Sequence, residues 1–204
     1  MKALIFSLIV LLQGPSQKME LLGKKVVGNV YLNIDSANVY LDQLDSMAHV
    51  HEDSLHIGHV FRFKGIIADI TSNYTEAQIN YYRAQEIYES LDNQLNVAKT
   101  RYNIALMHMK LNNDSLALVI LKKDIEAYEA VNDTFNVINS YITTGYILNR
   151  NGAPDSALQL LKKAYYYSIQ HRDTIRIASA NNLIGDSYLQ MRKPQRAKEY
   201  YRST

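Results

Sequence analysis

The chain has 204 residues, of which 47% are hydrophobic and 21% charged, enough apolar mass for a packed core. Its 22 basic and 20 acidic side chains leave a formal charge of +2, so the totals give no single-sign field of the kind that nucleic acid or an anionic membrane surface would call for. The absence of cysteine excludes disulfide frameworks, thiolate zinc sites, thiol nucleophiles and a lipid-modified N-terminal cysteine.

The N-terminus reads differently from the rest. Lys2 precedes an apolar run over residues 3–12, followed by Gly14, Pro15 and Ser16. Ten helical residues would cover ~15 Å, short of a ~30 Å hydrocarbon core. A basic start, a short apolar stretch and small residues match a secretory signal cleaved before Gln17. Residues 1–16 are therefore expected to be a signal peptide, and residues 17–204 an exported, periplasmic or extracytoplasmic, domain. The alternative is an ordinary N-terminal helix on a cytoplasmic protein.

From there the chain keeps a helical period without strand-like alternation and without a Pro-, Gly- or Ser-rich linker. The pattern predicts helices near 19–32, 35–50, 54–72, 75–91, 94–111, 114–131, 134–151, 155–171 and 174–192, with a last one starting at Pro194. Polar or turn-forming breaks separate them, such as Ser72 and Asn73, Asn112 to Asp114, and the run from Asn151 through Gly152 and Pro154 to Asp155. Thr75, Glu76, Ala77 and Gln78 have the form of a capping box. Asp133 and Asp173 stand where a carboxylate can accept the orphan N–H groups of a helix start. In the last unit, Ile175, Ala178, Leu183, Ile184, Tyr188 and Leu189 fall on one face.

Four columns repeat every forty residues. Alanine stands at 37, 77, 117, 157 and 197. Twelve residues earlier a small residue recurs as Gly65, Ala105, Gly145 and Gly185. Four residues after each alanine comes a large one: Leu41, Tyr81, Leu121, Leu161 and Tyr201. Sixteen after it comes a polar one: Asp53, Asn93, Asp133 and Asp173. The period predicts stacked helical hairpins, none able to bury its apolar face alone. The small residues are expected where the two helices of a hairpin approach, and Tyr81 and its equivalents between neighbouring hairpins.

These residues resemble the tetratricopeptide repeat family. Ile184, Gly185, Tyr188, Ala197 and Tyr201 carry the pattern best. Tyr141, Gly145, Ala157 and Leu161 follow, as do Phe61, Gly65, Ala77, Tyr81 and Ala84. The period is forty rather than 34 and the closing proline is absent, as in long-period variants of bacterial regulatory and sensor proteins. Because the interval of twelve is kept, the extra six residues are expected after the alanine, lengthening the second helix and the start of the next by ~9 Å. The resemblance implies an all-α, right-handed superhelical solenoid of antiparallel helix hairpins.

It further implies that the first helix of each hairpin lines a groove for a peptide or protein partner. By register the groove residues would be Arg62, Lys99, Tyr102, Asn139, Tyr146, Asn149 and Asn182. Such side chains can hold a peptide backbone or a carboxylate. The implied role is the sensory or input module of a bacterial signalling regulator. The competing reading is a structural spacer or oligomerisation domain.

Other features carry less. His49, His51, His56 and His59 cluster at one turn, but without a thiolate, so no metal is expected. Tyr165, Tyr166 and Tyr167 must divide between core and surface. No catalytic triad order, phosphate loop, zinc-protease helix or cofactor motif occurs, so neither an enzyme nor a cofactor is expected. No nucleic-acid partner is expected either. Because Tyr200 and Tyr201 lie in a final partial hairpin, self-association there, or further protein that could link the chain to a membrane, is expected.

Overall fold

The computed structural model describes residues 14–203. Among them are ten α-helices and no strand: α1 (Pro15–Asn29), α2 (Ile34–Val50), α3 (Ser54–Ile70), α4 (Tyr74–Ser90), α5 (Gln94–Lys110), α6 (Asp114–Ala130), α7 (Thr134–Arg150), α8 (Pro154–Gln170), α9 (Thr174–Gln190) and α10 (Pro194–Arg202). The class is all-α, as expected. The signal segment falls almost wholly outside the described residues, and Pro15 and Ser16 open α1.

Helices α2 to α9 are 17 residues each, joined by three-residue turns. Each forty-residue unit is thus two equal halves of one helix and one turn.

One local chemistry explains this spacing. After α2, the N–H of Asp53 donates to the carbonyl of Ala48 at 2.9 Å and that of Glu52 to His49 at 3.2 Å, while Glu52 adopts φ +49°. This is a Schellman closure, with a left-handed residue just past the helix end. Asp53 then accepts the backbone N–H of His56 at 3.0 Å and so caps α3. Asn73, Asn93, Asp133 and Asp173 play the same double part. Where the cap position is Ala153 or Lys193, proline follows as the first helical residue and no cap bond is made. The cap of α4 is Asn73, which accepts the Glu76 N–H and donates its side-chain amide to the Glu76 carboxylate at 2.7 Å, and not Thr75 with Gln78. The side chain that reaches the first free N–H groups is the one at the turn, two residues earlier.

The described chain forms two compact units, Met1–Asn103 and Ile104–Thr204. In the first, each of α1 to α3 packs on the helix that follows it, and α1 also touches α3. Its core joins Met19, Leu22 and Val26 of α1, Leu41, Leu44 and Ala48 of α2, and Val60 and Phe63 of α3. In the second, each of α6 to α9 packs on its successor, and α7 also touches α9. Here Ala157 and Leu161 of α8, Ile184 and Tyr188 of α9, and Ala197 of α10 form a core. No packing of similar extent joins α2 to α4 or α8 to α10. Within each unit, the first helices of successive hairpins are therefore the inner layer.

The small and large columns meet inside a hairpin. A Cβ added at Gly65 would stand 2.5 Å from Cδ1 of Tyr81, and one at Gly145 would stand 2.5 Å from Cγ of Leu161. Gly185 faces Tyr201 in the same way. This corrects the expectation that Tyr81 fills the space between hairpins. The chain folds back across the turn and seats Tyr81, Leu161 and Tyr201 each in the hollow left by its own glycine. Burying a leucine such as Leu161 contributes about 1.5–3 kcal/mol.

Candidate partner-binding surface

In the first unit, Arg62 lies on α3, and Lys99 and Tyr102 on α5; all three are half-buried. The Arg62 guanidinium lies 4.9 Å from the centroid of the Phe63 ring, and its Nε is buried without a hydrogen-bond partner. Beside it, Nδ1 of His59 and the hydroxyl of Tyr88 share a 2.5 Å hydrogen bond. Burial pushes the His59 imidazole down to about 4, and the charges of Arg62, His56 and Lys99 act in the same direction. Burial likewise pushes the Tyr88 phenol up to about 12. A neutral histidine thus sits among cations at the inner layer. His56, one turn earlier, bonds Asp53 at 2.9 Å. Among the described residues no group of three or more metal-ligating side chains converges.

In the second unit, α7 carries Asn139, Tyr146 and Asn149, and α9 carries Asn182. Tyr146 and Asn182 are exposed. Tyr146, Asn149 and Arg150 of α7, with Leu183, Asp186 and Leu189 of α9, border an open depression of about 410 Å³. It lies along the seam where the two inner helices touch. Tyr146 is 42% exposed and Leu189 is 49% exposed, so its rim is apolar at two points. Arg150 is held by three bonds, Nε to Asp114 Oδ2 at 3.0 Å, Nη2 to Asp114 Oδ1, and Nη2 to the carbonyl of Met109 at 3.1 Å. Its guanidinium lies 5.8 Å from the Tyr146 ring centroid. Asp186 accepts the Tyr201 hydroxyl at 2.6 Å.

The two other asparagines serve inside the unit. Asn149 is only 6% exposed; its amide donates to the carbonyl of Leu183 at 3.0 Å and accepts from Ser187 at 2.9 Å, tying α7 to α9. Asn139 accepts from Nε of Arg176 at 2.8 Å, while Arg176 pairs with Asp173 at 2.5 Å and stacks 3.6 Å from the Phe135 ring centroid.

Ile175 and Leu189 depart from the face that helical spacing assigns them: Ile175 is 76% exposed. Ile175 belongs to a further column: Leu55, Leu95, Phe135 and Ile175 each stand two residues after a capping residue, where Leu55 packs against Ala84, Tyr88 and Val97 while Phe135 and Ile175 are exposed. That forty-residue repeat was available in the sequence and marks an apolar edge in the second unit, where Phe135 is also exposed. The tyrosine run divides as expected, with Tyr166 exposed and its two neighbours half-buried. Among the described residues no helix is long and apolar enough to cross a membrane.

No protein-family model matches the sequence, and no curated protein matches it. Among solved structures the chain is similar to aspartyl phosphate phosphatase F from Bacillus subtilis, with a TM-score of 0.74 and 16% identity over 97% of this chain and 61% of that one. It is similar to a signal transduction ATPase with numerous domains carrying a tetratricopeptide repeat sensor, from Pyrococcus horikoshii, with a TM-score of 0.75 and 15% identity over 94% of this chain and 30% of that one. A third is BtubC from P. vanneervenii, with a TM-score of 0.69 and 12% identity over 94% of this chain and 89% of that one. The chain therefore spans about three-fifths of the phosphatase and under a third of the ATPase. At these identities the likeness establishes the fold, an all-α array of tetratricopeptide-like helical hairpins.

Proposed function

We propose that the chain is a protein- or peptide-binding repeat module, of the long-period kind, acting as the input part of a signalling regulator. The observation that carries this reading is the depression on α7 and α9. It combines an exposed tyrosine and leucine with an anchored arginine and a carboxylate, the mixture that holds an extended peptide by its backbone and one or two side chains. Helix starts at Ser54, Gln94, Thr134 and Thr174 keep the forty-residue spacing that suggests the long-period variant. The phosphatase and the repeat sensor to which the fold is similar support a signalling role by analogy only. No grouping at the depression suggests a nucleophile with its base, so the proposed role is recognition without catalysis.

Peptide-display selection on the intact chain tests the reading. Sequences enriched on the wild type should lose at least tenfold in affinity on Tyr146→Ala combined with Leu189→Asp, and keep it on Lys123→Gln. Selection that yields no sequence sensitive to the double change would favour the spacer reading. That reading draws on Asn139 and Asn149, whose amides are already committed to internal bonds.

Export is the accompanying proposal. Cleavage before Gln17 would leave Met19, Leu22 and Val26, the buried face of α1, in the mature chain. Expression in a bacterial host followed by N-terminal sequencing of the periplasmic fraction should return a chain starting at Gln17. An intact Met1 in the cytoplasm would end the proposal. Self-association through the α9–α10 hairpin is tested by sedimentation velocity across a hundredfold concentration range, where a constant monomer coefficient would reject it.

A further inference from the structure

The end of the second unit carries a charge pattern that the whole-chain total conceals. Residues 190–204 hold Arg192, Lys193, Arg196, Lys198 and Arg202 against Glu199 alone. Two cationic groups from different helices converge on one ring there. Nζ of Lys162 on α8 lies 6.0 Å from the centroid of Tyr188 on α9, and Cζ of Arg196 on α10 lies 5.8 Å from it. Tyr200 of α10 adds a second ring, 5.5 Å from the first. Tyr188 is 3% exposed, whereas Lys162 and Arg196 reach the surface.

Two arginines near aromatic rings in the same unit are neutralised, whereas Lys163, 5.5 Å from the Tyr141 ring centroid, stands alone over its ring among the described residues. Arg150 pairs with Asp114, and Arg176 with Asp173. Among the described residues neither Lys162 nor Arg196 has a carboxylate partner. Burial of the Tyr188 phenol, which alone would raise its pKa, is outweighed by hydrogen bonds and charge from Arg196 and Lys162, which hold it below the ordinary value. Two exposed like charges converging on one ring repel weakly in water, and an anion shared between them removes that repulsion. The earlier helices at the Lys162 position carry Asp42, Tyr82 and Lys122, so the arrangement belongs to this hairpin and not to the repeat.

We propose that Lys162, Arg196 and the paired phenols of Tyr188 and Tyr200 form a binding site for a phosphate dianion. The site is built on α8, α9 and α10, separate from the groove reading. A dianion matches the two positive charges, whereas a carboxylate would leave one uncompensated. Its tetrahedral oxygens can take the point charge of lysine, the planar fork of arginine and a phenolic O–H together. The phosphate comes either as the free ion or on a phosphorylated side chain of another protein.

Isothermal titration of the intact chain with inorganic phosphate, phosphoserine and phosphotyrosine, each against sodium chloride at matched ionic strength, tests this. Saturable binding of one equivalent is expected. Lys162→Gln and Arg196→Gln should each weaken it about tenfold or more, as loss of one charge-assisted contact does. Lys123→Gln should leave it unchanged. Both altered cations are exposed, so thermal unfolding should match the wild type and folding is not at issue. Tighter binding of a phosphoamino acid than of phosphate identifies a phosphorylated side chain as the source, and equal or weaker binding identifies the free ion. Heats no larger than those of chloride would overturn the site. So would equal losses in Lys123→Gln, or capture of anionic vesicles or duplex DNA that phosphate does not compete away.

Discussion

Replacing Gly145 by alanine sets two known effects against each other on one methyl group. In an open helix interior the change gains about 0.8–1 kcal/mol, because glycine loses more backbone freedom on folding. At Gly145 the new Cβ would lie 2.5 Å from Leu161 Cγ and 2.6 Å from its Cδ2, where carbon atoms prefer about 3.5–4.0 Å. Leu161 is fully buried, so turning its Cγ to another rotamer would drive its methyls into packed neighbours. Helices α7 and α8 must separate by several tenths of an ångström, at an overpacking cost of about 1–3 kcal/mol. The net loss is about 1 kcal/mol. Gly23→Ala is the matched control: it lies in the interior of α1 and its Cβ meets Phe63 at an ordinary 3.5 Å, so the helix gain survives. Gly185→Ala falls between, since Tyr201 lies at the surface and can swing aside. Thermal unfolding followed by circular dichroism should place Gly23→Ala about 2–4 °C above the wild type and Gly145→Ala about 2–4 °C below it, with Gly185→Ala near zero. Gly145→Ala at or above Gly23→Ala would refute the account of the small column as a seat for the large one.

Three further outcomes are expected. His59 titrates near 6.5 when unfolded and at about 4 when folded, so protons favour the unfolded chain between those values. Stability present above pH 6.5 should fall by about 3 kcal/mol as pH drops to about 4, and urea midpoints of His59→Gln should show a shallower slope over that window. Arg172 holds φ +54° without the freedom of glycine, so Arg172→Gly should stabilise by up to about 1 kcal/mol, whereas Asn132→Gly, at φ +55°, should change little; urea melts that ranked the two the other way would count against the turn geometry. Asn149→Ala removes the link between α7 and α9 and should cost about 1–3 kcal/mol, while Asn182→Ala on the exposed face should stay within about 0.5 kcal/mol.

The columns of alanine, glycine and large side chains were legible in the sequence because close packing admits few residue types at those positions. The half-unit of twenty residues was harder to see. Its marker is a left-handed residue after each of α2 to α9, and among those eight positions that residue is glycine only at Gly152. Glu52, Asp92 and Arg172 occupy the same conformation and look like ordinary surface charges; the end of α2 at Val50 matches the sequence pattern, while α4 and α8 stop one residue before the pattern does. The Asn73 cap was passed over for the same reason, since Thr75 fits a capping rule by type but stands inside the helix. At the candidate surface, register identified which helix faces inward but could not separate Asn149 from Asn182. Both are asparagines on inner helices, and the positions of Ser187 and the Leu183 carbonyl decide that Asn149 is buried between α7 and α9, while Asn182 lies on the exposed side.

Asp53, Asn73, Asn93, Asp133 and Asp173 each close one helix with their amide and open the next with their side chain. A connection of this kind has no slack. One inserted residue would detach the closing bond from the opening one and turn the following helix by about 100°, moving its apolar stripe off the core. Such an array can lengthen only by whole modules, so within each unit the distance between successive recognition positions is a fixed ruler that mutation of the turns cannot stretch.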